Sequence, residues 1–175
     1  MTPEDQERLL EALLFLSPGP VPLAALRDRL PDPEAAIAAL ERRREGRGVV
    51  LVRVAGGVAL RTAPDLAPHL AREAVEVRRL SRAGVETLAV VAYHGPVTRA
   101  EIEEIRGVGL SRGTLDQLLE MGWIKPGRRR ATPGRPATYV CTDAFLDHFG
   151  LASLQDLPSL AELRAAGFLA GPEGR

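Results

Sequence analysis

The chain has 175 residues, of which 45% are hydrophobic, and this is sufficient for one ordinary domain or two small ones. Its 23 basic and 23 acidic residues give a formal net charge of +0, so no global positive field attracts nucleic acid or an anionic membrane. Aromatic residues make up only 4%, which argues against a stacking platform for single strands, and the single cysteine, Cys141, excludes intramolecular disulfides and zinc sites that need two thiolates.

The beginning of the chain has the pattern of neither a secretory signal nor a membrane span. The residues from Thr2 to Glu7 are acidic where a signal peptide requires a basic start. No apolar run approaches the ~20 residues that cross a bilayer. Together with the single cysteine, these features predict a protein of the reducing cytoplasm without membrane association.

The first half of the chain predicts three helices followed by a β-hairpin. Leucines recur at helical spacing after Thr2 and Pro3, which are typical of an N-cap and a first helical position. The predicted elements are a helix ending near Leu16, a short helix at residues 23–30, a helix capped at Asp32-Pro33, and strands at 49–54 and 58–61 joined by a turn at Gly56-Gly57.

The same order of elements restarts near Leu80. Thr98 and Glu101 have the spacing of a capping box, which predicts the start of the second helix of this half. The other predicted elements are a first helix from Ser81 to Tyr93, inward Ile102 and Ile105, a third helix capped by Ser111 with Leu115, Leu118 and Leu119 inward, strands from Trp123 and at 137–141, and a last helix capped by Thr142 and holding Phe145, Leu146 and Phe149.

An internal repeat connects the two halves. Gly19-Pro20-Val21 recurs 76 residues later as Gly95-Pro96-Val97, each time after the first helix. Helix-turn-helix followed by a hairpin is the winged-helix plan, so the predicted fold is mainly α with small β-hairpins, an α+β protein of tandem winged-helix domains. We expect domains at 1–78 and 79–160, a charged helix or linker at 64–79, and a partly disordered tail at 161–175. The alternative is one mixed helical domain.

Motifs of the second half resemble the segregation and condensation protein B family. They are Leu80-Ser81, Glu86-Thr87-Leu88-Ala89, Ala92-Tyr93, Pro96-Val97-Thr98-Arg99, Glu101-Ile102, Ile105-Arg106-Gly107-Val108, Gly134-Arg135-Pro136, Tyr139 and Phe149-Gly150-Leu151. The first half is similar through Glu11-Ala12-Leu13-Leu14-Phe15 and Gly56-Gly57, so the resemblance covers roughly residues 7–160. The chain departs from the family at Tyr93-His94-Gly95-Pro96, where a glutamine more often precedes the proline.

This resemblance implies a non-enzymatic subunit of the bacterial SMC–kleisin complex, which condenses and segregates chromosomes at the nucleoid. It implies two winged-helix domains and a homodimer that binds the kleisin subunit, segregation and condensation protein A, and through it the SMC ATPase. It also implies self-association through the N-terminal domain and kleisin binding through the C-terminal domain. The alternative function is a winged-helix DNA-binding regulator.

The patterns that are typical of catalysis are better explained structurally. Gly109-Leu110-Ser111-Arg112-Gly113 matches G-x-S-x-G, and Asp143 and His148 follow in hydrolase order, but no predicted strand precedes the serine. No Gly-Lys pair occurs, so a P-loop is absent, and the three histidines lack metal-ligand spacing. We therefore predict no catalytic residue, no metal and no cofactor.

Two sets of residues are candidates for binding. The helix from Val85 to Tyr93 has almost no polar face, so it is either the core helix of its own domain or a surface that a partner covers. The predicted protein-binding residues are Val90, Tyr93, Arg99, Ile102 and Arg106, with the arginines forming a charged rim.

The second hairpin has no acidic residue between Lys125 and Cys141. This charge suits weak, sequence-independent contact with DNA phosphates, and the alternatives are a solvated hairpin or one docked on an acidic partner. The predicted contact residues are Arg128, Arg129, Arg130 and Arg135. The third helix exposes Asp116 and Glu120, so it is unsuited to reading bases beside phosphates.

Overall fold

The computed structural model describes residues 1–70 and 80–166. These residues form two successive helical units, each with a three-stranded antiparallel sheet. The first unit contains α1 (Pro3–Leu16), β1 (Val21–Pro22), α2 (Leu23–Arg27), α3 (Pro33–Arg44), β2 (Val49–Val54), β3 (Gly57–Thr62), a 3-10 turn (Pro64–Leu66) and α4 (Ala67–Leu70). The second contains α5 (Arg82–His94), β4 (Val97–Thr98), α6 (Arg99–Arg106), α7 (Arg112–Glu120), β5 (Ile124–Pro126), β6 (Thr138–Cys141), α8 (Asp143–Phe149), a 3-10 turn (Leu154–Asp156) and α9 (Leu160–Ala165). Mixed helices and small antiparallel sheets confirm the predicted α+β class.

Two predictions fall partly outside the described residues. The expected charged helix or linker begins with the 3-10 turn and α4, and its remainder, 71–79, lies outside the description. The predicted tail begins within α9, and residues 167–175 lie outside it. In the described part of the chain, no helix is long and apolar enough to cross a membrane.

Helix α1 begins where the sequence predicts because Thr2 and Asp5 form a capping box. The Thr2 hydroxyl accepts a hydrogen bond from the Asp5 N–H at 3.1 Å, and the Asp5 carboxylate accepts one from the Thr2 N–H at 3.2 Å. The inner face of α1 packs on α3. The core of the first unit consists of Leu10, Leu14, Leu26, Leu30, Ala36, Ile37, Leu40, Leu51 and Val58.

The first sheet has the order β1-β3-β2 and differs from the prediction in two details. Val54 pairs with Gly57, so Ala55 and Gly56 form the turn, one residue before the predicted Gly56-Gly57. Both turn residues have positive φ, 50° and 68°, as a type I′ hairpin turn requires. Strand β1 is absent from the prediction because its two residues are too few to show an alternating pattern.

The second unit repeats the order of the first, with a sheet β4-β6-β5. The predicted capping box of α6 is confirmed: the Thr98 hydroxyl accepts from the Glu101 N–H at 3.2 Å, and the Glu101 carboxylate accepts from the Thr98 N–H at 2.6 Å. The core consists of Leu88, Val90, Val91, Val97, Ile102, Leu110, Leu115, Leu118, Ile124 and Phe145. The prediction of an inward Ile105 is wrong, since its side chain is 48% exposed, and Phe149 in α8 is exposed to the same extent.

The two units touch through the first hairpin. The N–H groups of Ala55 and Gly56 donate to the carbonyls of Leu151 and Ala152 at 2.8 and 2.9 Å. An Arg61 guanidinium nitrogen lies 2.6 Å from a carboxylate oxygen of Asp147 in α8. The turn of one unit therefore docks on the segment that follows α8 in the other.

Candidate protein-binding surfaces

The outward face of α5 forms an apolar groove, which we call the C-groove. Two residues one helical turn apart line it to different depths: Leu88 is 5% exposed at its base, whereas Val85 is 55% exposed. Helix α8 and the segment after it form the other wall. The groove has a volume of about 310 Å³ and is lined by Val85, Leu88, Ala89, Ala92, Tyr93, Phe145, Phe149, Leu151 and Leu157.

Tyr93 lies at one end of the C-groove and ties it to the chain beyond α8. Its hydroxyl donates a hydrogen bond to the Pro158 carbonyl at 2.8 Å, so the segment from Leu151 to Pro158 is held along α5. The sequence left open whether α5 is a core helix or a surface that a partner covers, and the structure shows features of both. One face is core, and the other is an apolar surface that is only partly covered.

Three of the five residues predicted to bind a partner do not lie on a surface. Val90 is 8% exposed and Ile102 is 0% exposed, because both point into the core of the second unit. The Arg106 side chain is 6% exposed and pairs with Glu86 at 3.1 Å. The predicted rim therefore lacks Arg106, and Tyr93 and Arg99 remain as accessible candidates.

Arg99 is held by its own helix and by the loop that follows it. Its Nε lies 3.2 Å from the Glu103 carboxylate, and its Nη2 donates to the Leu110 carbonyl. The Leu110 N–H, followed by Arg99, holds the pKa of Glu103 below its ordinary value. The side chain of Arg99 nevertheless stays 42% exposed, so it can meet a partner at the edge of α6.

A second apolar groove, the N-groove, lies on the outward face of α1. Its most exposed apolar residue is Phe15, at 81%, and Leu16, which follows Phe15 but does not line the groove, is 79% exposed. The groove has a volume of about 460 Å³ and is lined by Arg8, Glu11, Ala12, Phe15, Arg44, Val49 and Leu60. Arg44 and Glu11 form an ion pair across it. The run of apolar residues at the end of α1 indicates this surface in the sequence. No sequence pattern indicates that β2 and β3 also contribute to it.

The four predicted phosphate-binding arginines divide into one that is paired and three that are exposed. Arg130 donates from Nη2 to the Glu101 carboxylate and to the Pro96 carbonyl, each at 3.0 Å. Arg128, Arg129 and Arg135 are exposed. Arg130 therefore differs from the other three, because Glu101 already neutralises its charge.

The serine-hydrolase pattern lacks its structural context. Ser111 occupies the N-cap position of α7, its hydroxyl lies 2.7 Å from that of Thr114, and helix α6 and a loop precede it in place of a strand. The His148 ring packs on Trp123 with centroids 4.4 Å apart. Burial raises the pKa of Cys141 to about 11, so its thiol is protonated at neutral pH. In the described residues, no group of histidine, cysteine and acidic side chains has metal-binding geometry.

The C-groove includes Phe149 and Leu157, which are not among the predicted protein-binding residues. Phe149 belongs to the predicted last helix of the second half. Its contacts with Trp123 and Phe145, with ring centroids 5.4 and 4.7 Å apart, leave one side open to the groove. No local pattern indicates that the chain after α8 returns to α5.

Two small helix-and-sheet units with exposed apolar grooves are typical of a structural protein that works through binding. The model of the segregation and condensation complex subunit ScpB matches residues 8–160, and the chain belongs to this family, whose members are subunits of the segregation and condensation complex.

Similar proteins carry the same description. Segregation and condensation protein B of Syntrophotalea carbinolica is 44% identical over 161 residues, which cover 88% of this chain and 81% of that protein. The protein of the same name from Moorella thermoacetica is 41% identical over 166 residues, covering 90% and 84%. The crystal structure of ScpB from Mycobacterium tuberculosis shares 31% identity, covers 86% of this chain and 98% of that one, and gives a TM-score of 0.39.

Proposed function

We propose that the protein is a non-enzymatic subunit of the bacterial SMC–kleisin complex that binds the kleisin subunit, segregation and condensation protein A, as a homodimer. The kleisin would link it to the SMC ATPase at the nucleoid. Membership in the family supports the role in chromosome segregation and condensation. The observation that carries the kleisin site is the exposed apolar C-groove.

We assign a winged-helix domain to each unit, with the boundaries 1–78 and 79–160. The repeated order of helix, short strand, two helices and hairpin supports this assignment, as do two separate apolar cores. In each unit the short strand pairs with the second strand of the hairpin, as Val21 pairs with Val58 and Val97 with Tyr139. In each unit, this pairing connects the segment after the first helix to the hairpin.

The C-groove suits an amphipathic helix of the kleisin. Val85 and Ala89 lie one helical turn apart on α5, and Phe149 faces them from α8, so the three form an apolar strip. A partner helix with apolar residues at the same spacing buries this strip along its length. Arg99 on α6, outside the groove lining, is 42% exposed and is a further candidate for a charged contact with the kleisin.

The N-groove suits a second copy of the chain. Phe15 and Leu16 together expose more apolar surface than isolated side chains on a monomer usually do. A homodimer related by a twofold axis would place the same groove on both sides of the contact. A stable interface needs roughly 800 Å² from each partner.

Two matched substitutions, each of an alanine by glutamate, distinguish the two proposed interfaces. Ala12 in the N-groove and Ala89 in the C-groove are both exposed helical residues, so Ala12→Glu and Ala89→Glu each place a charge in one groove with little effect on the core. Mass in solution and the affinity for the purified kleisin subunit are measured for both variants and for the wild type.

We expect Ala12→Glu to shift the dimer toward monomer while each chain still binds kleisin, and Ala89→Glu to remain dimeric with at least tenfold weaker kleisin binding. A wild-type monomer at micromolar concentration would contradict the homodimer. Unchanged kleisin affinity in Ala89→Glu, with circular dichroism intact, would move the kleisin site away from the C-groove.

The charge on α7 disfavours the alternative of a DNA-binding regulator. Such a regulator inserts its third helix into the major groove, where basic and amide side chains face phosphates and bases. Asp116 is exposed on α7 and would repel the phosphates. Equal affinity for unrelated duplex sequences is the expected result.

A further inference from the structure

The loop that joins β5 to β6, residues 127–137, is strongly basic. It carries four arginines and no acidic residue, and Lys125 stands just before it in β5. We call residues 127–137 the basic loop. Its composition otherwise consists of glycine, alanine, threonine and proline, so it offers no large apolar side chain.

The basic loop is held by hydrogen bonds along both of its sides. The Gly127 N–H donates to the Thr138 carbonyl at 2.8 Å, and the Thr138 hydroxyl donates to the Arg128 carbonyl at 2.6 Å. Further out, the Arg130 N–H donates to the Pro136 carbonyl at 3.0 Å. A Cβ at position 127 would lie 2.7 Å from the Thr138 hydroxyl oxygen, so glycine is required for this close approach.

Arg130 fastens the basic loop to the start of α6. Its guanidinium bridges the Glu101 carboxylate and the Pro96 carbonyl, each at 3.0 Å. The Thr98 N–H, and then Arg130, hold the pKa of Glu101 below its ordinary value, so this carboxylate stays ionised above the acid range. Arg130 therefore positions the loop, and the negative charge of Glu101 is already compensated.

The three remaining arginines of the loop and Lys125 keep their charges available. Arg128, Arg129, Arg135 and Lys125 are exposed, and within the described residues none of them forms an ion pair. In the first hairpin, by contrast, Arg53 pairs with Glu34 and Glu41, and Arg61 pairs with Asp147. The basic loop is thus a preformed, uncompensated positive surface.

We propose that the basic loop binds the phosphate backbone of duplex DNA through Arg128, Arg129 and Arg135, assisted by Lys125 and without reading sequence. Guanidinium groups bind phosphate oxygens in bidentate geometry. A protein partner usually needs a buried apolar or aromatic anchor, which the loop lacks. A single strand would need aromatic rings on which its bases stack, and the loop has none.

This proposal is independent of kleisin binding, because the C-groove residues and the loop residues are different sets. The test measures the binding of the full chain to fluorescent duplexes of two unrelated sequences over a range of salt concentrations. The loop variant is Arg128→Ala/Arg129→Ala/Arg135→Ala. Its control, Arg27→Ala/Arg42→Ala/Arg47→Ala, removes three exposed arginines of the first unit and the same net charge.

We expect the loop variant to flatten the slope of log K against log salt by up to about 2.7, which is 0.9 for each of three lost phosphate contacts. The control should keep the wild-type slope, and both should bind kleisin like the wild type. Arg130→Ala should change the slope by less than Arg128→Ala does, since Glu101 already neutralises its charge. Equal loss in the loop and control triple variants, or polyglutamate binding to the loop more tightly than DNA, would overturn the proposal.

Discussion

The two units share an order of elements, yet their hairpins end in different ways. In the first, Ala55 and Gly56 make a tight turn that docks on the second unit. In the second, the basic loop replaces that turn and is fastened to its own unit by Arg130. The repeated scaffold, with its helix caps and core, therefore tolerates different loops between the two hairpin strands. In the first unit the loop makes contacts within the chain, and in the second it forms an open charged surface.

The largest expected effect on stability comes from truncating a buried leucine in the core of either unit. Leu118 and Leu10 are both 0% exposed, one in each unit, and truncation of a buried leucine costs about 2–5 kcal/mol. The single tryptophan, Trp123, lies in the second unit and reports on it alone. We expect Leu118→Ala to lower the free energy of unfolding measured by Trp123 fluorescence by this amount.

Leu10→Ala provides the matched control. It should shift the unfolding transition seen by circular dichroism while changing the Trp123 transition by no more than about 0.5 kcal/mol, as for sites that share no contacts. If both variants shift the Trp123 transition equally, the two units unfold as one, and the division into domains at 1–78 and 79–160 would have to be abandoned.

A smaller effect compares the two capping boxes. Thr98 is 5% exposed, whereas Thr2 is exposed at the end of the described chain. Loss of an N-cap costs about 0.5–2 kcal/mol of stability. We expect the cost of Thr98→Ala to lie near the upper end of this range, because burial would leave the Glu101 N–H without a water to replace the hydroxyl. The cost of Thr2→Ala should lie near the lower end. Chemical denaturation measures both values. Thr98→Ser, which keeps the hydroxyl, should restore most of the loss, and equal costs at the two caps would contradict the role of burial.

The smallest effect is the pH dependence of the second cap. The pKa of Glu101 is lowered in the folded protein, chiefly by the Thr98 N–H and then by Arg130. A carboxyl with a lowered pKa stabilises the fold above its unfolded value, about 4.3, and this contribution is lost as the pH falls through the folded value. Wild type should therefore lose stability below about pH 4.3 more steeply than Glu101→Gln. Parallel pH profiles of the Trp123 transition would contradict this link.

Local signals in the sequence account for the starts of the helices. Thr2, Asp32, Ser81, Thr98 and Thr142 each cap a helix at the predicted position, because a cap needs only a side-chain oxygen and a backbone N–H two or three residues away. The exception is Ser111, whose position is confirmed but whose hydroxyl turns to Thr114. The hairpin strands are likewise predicted by composition, apart from the two-residue strands that complete each sheet.

Surface and core were decided by tertiary contacts. In α6, Ile105 and Arg106 lie three and four residues after the buried Ile102, so helical spacing allows either one on the inner side. The sequence favours the isoleucine. In the structure Ile105 is 48% exposed and Arg106 is buried, because Glu86 on α5 supplies a carboxylate 3.1 Å from its guanidinium. The pairing of Arg130 with Glu101 has the same origin. The burial of Arg106 and the compensation of Arg130 each depend on a partner distant in the sequence, and no local pattern records that partner.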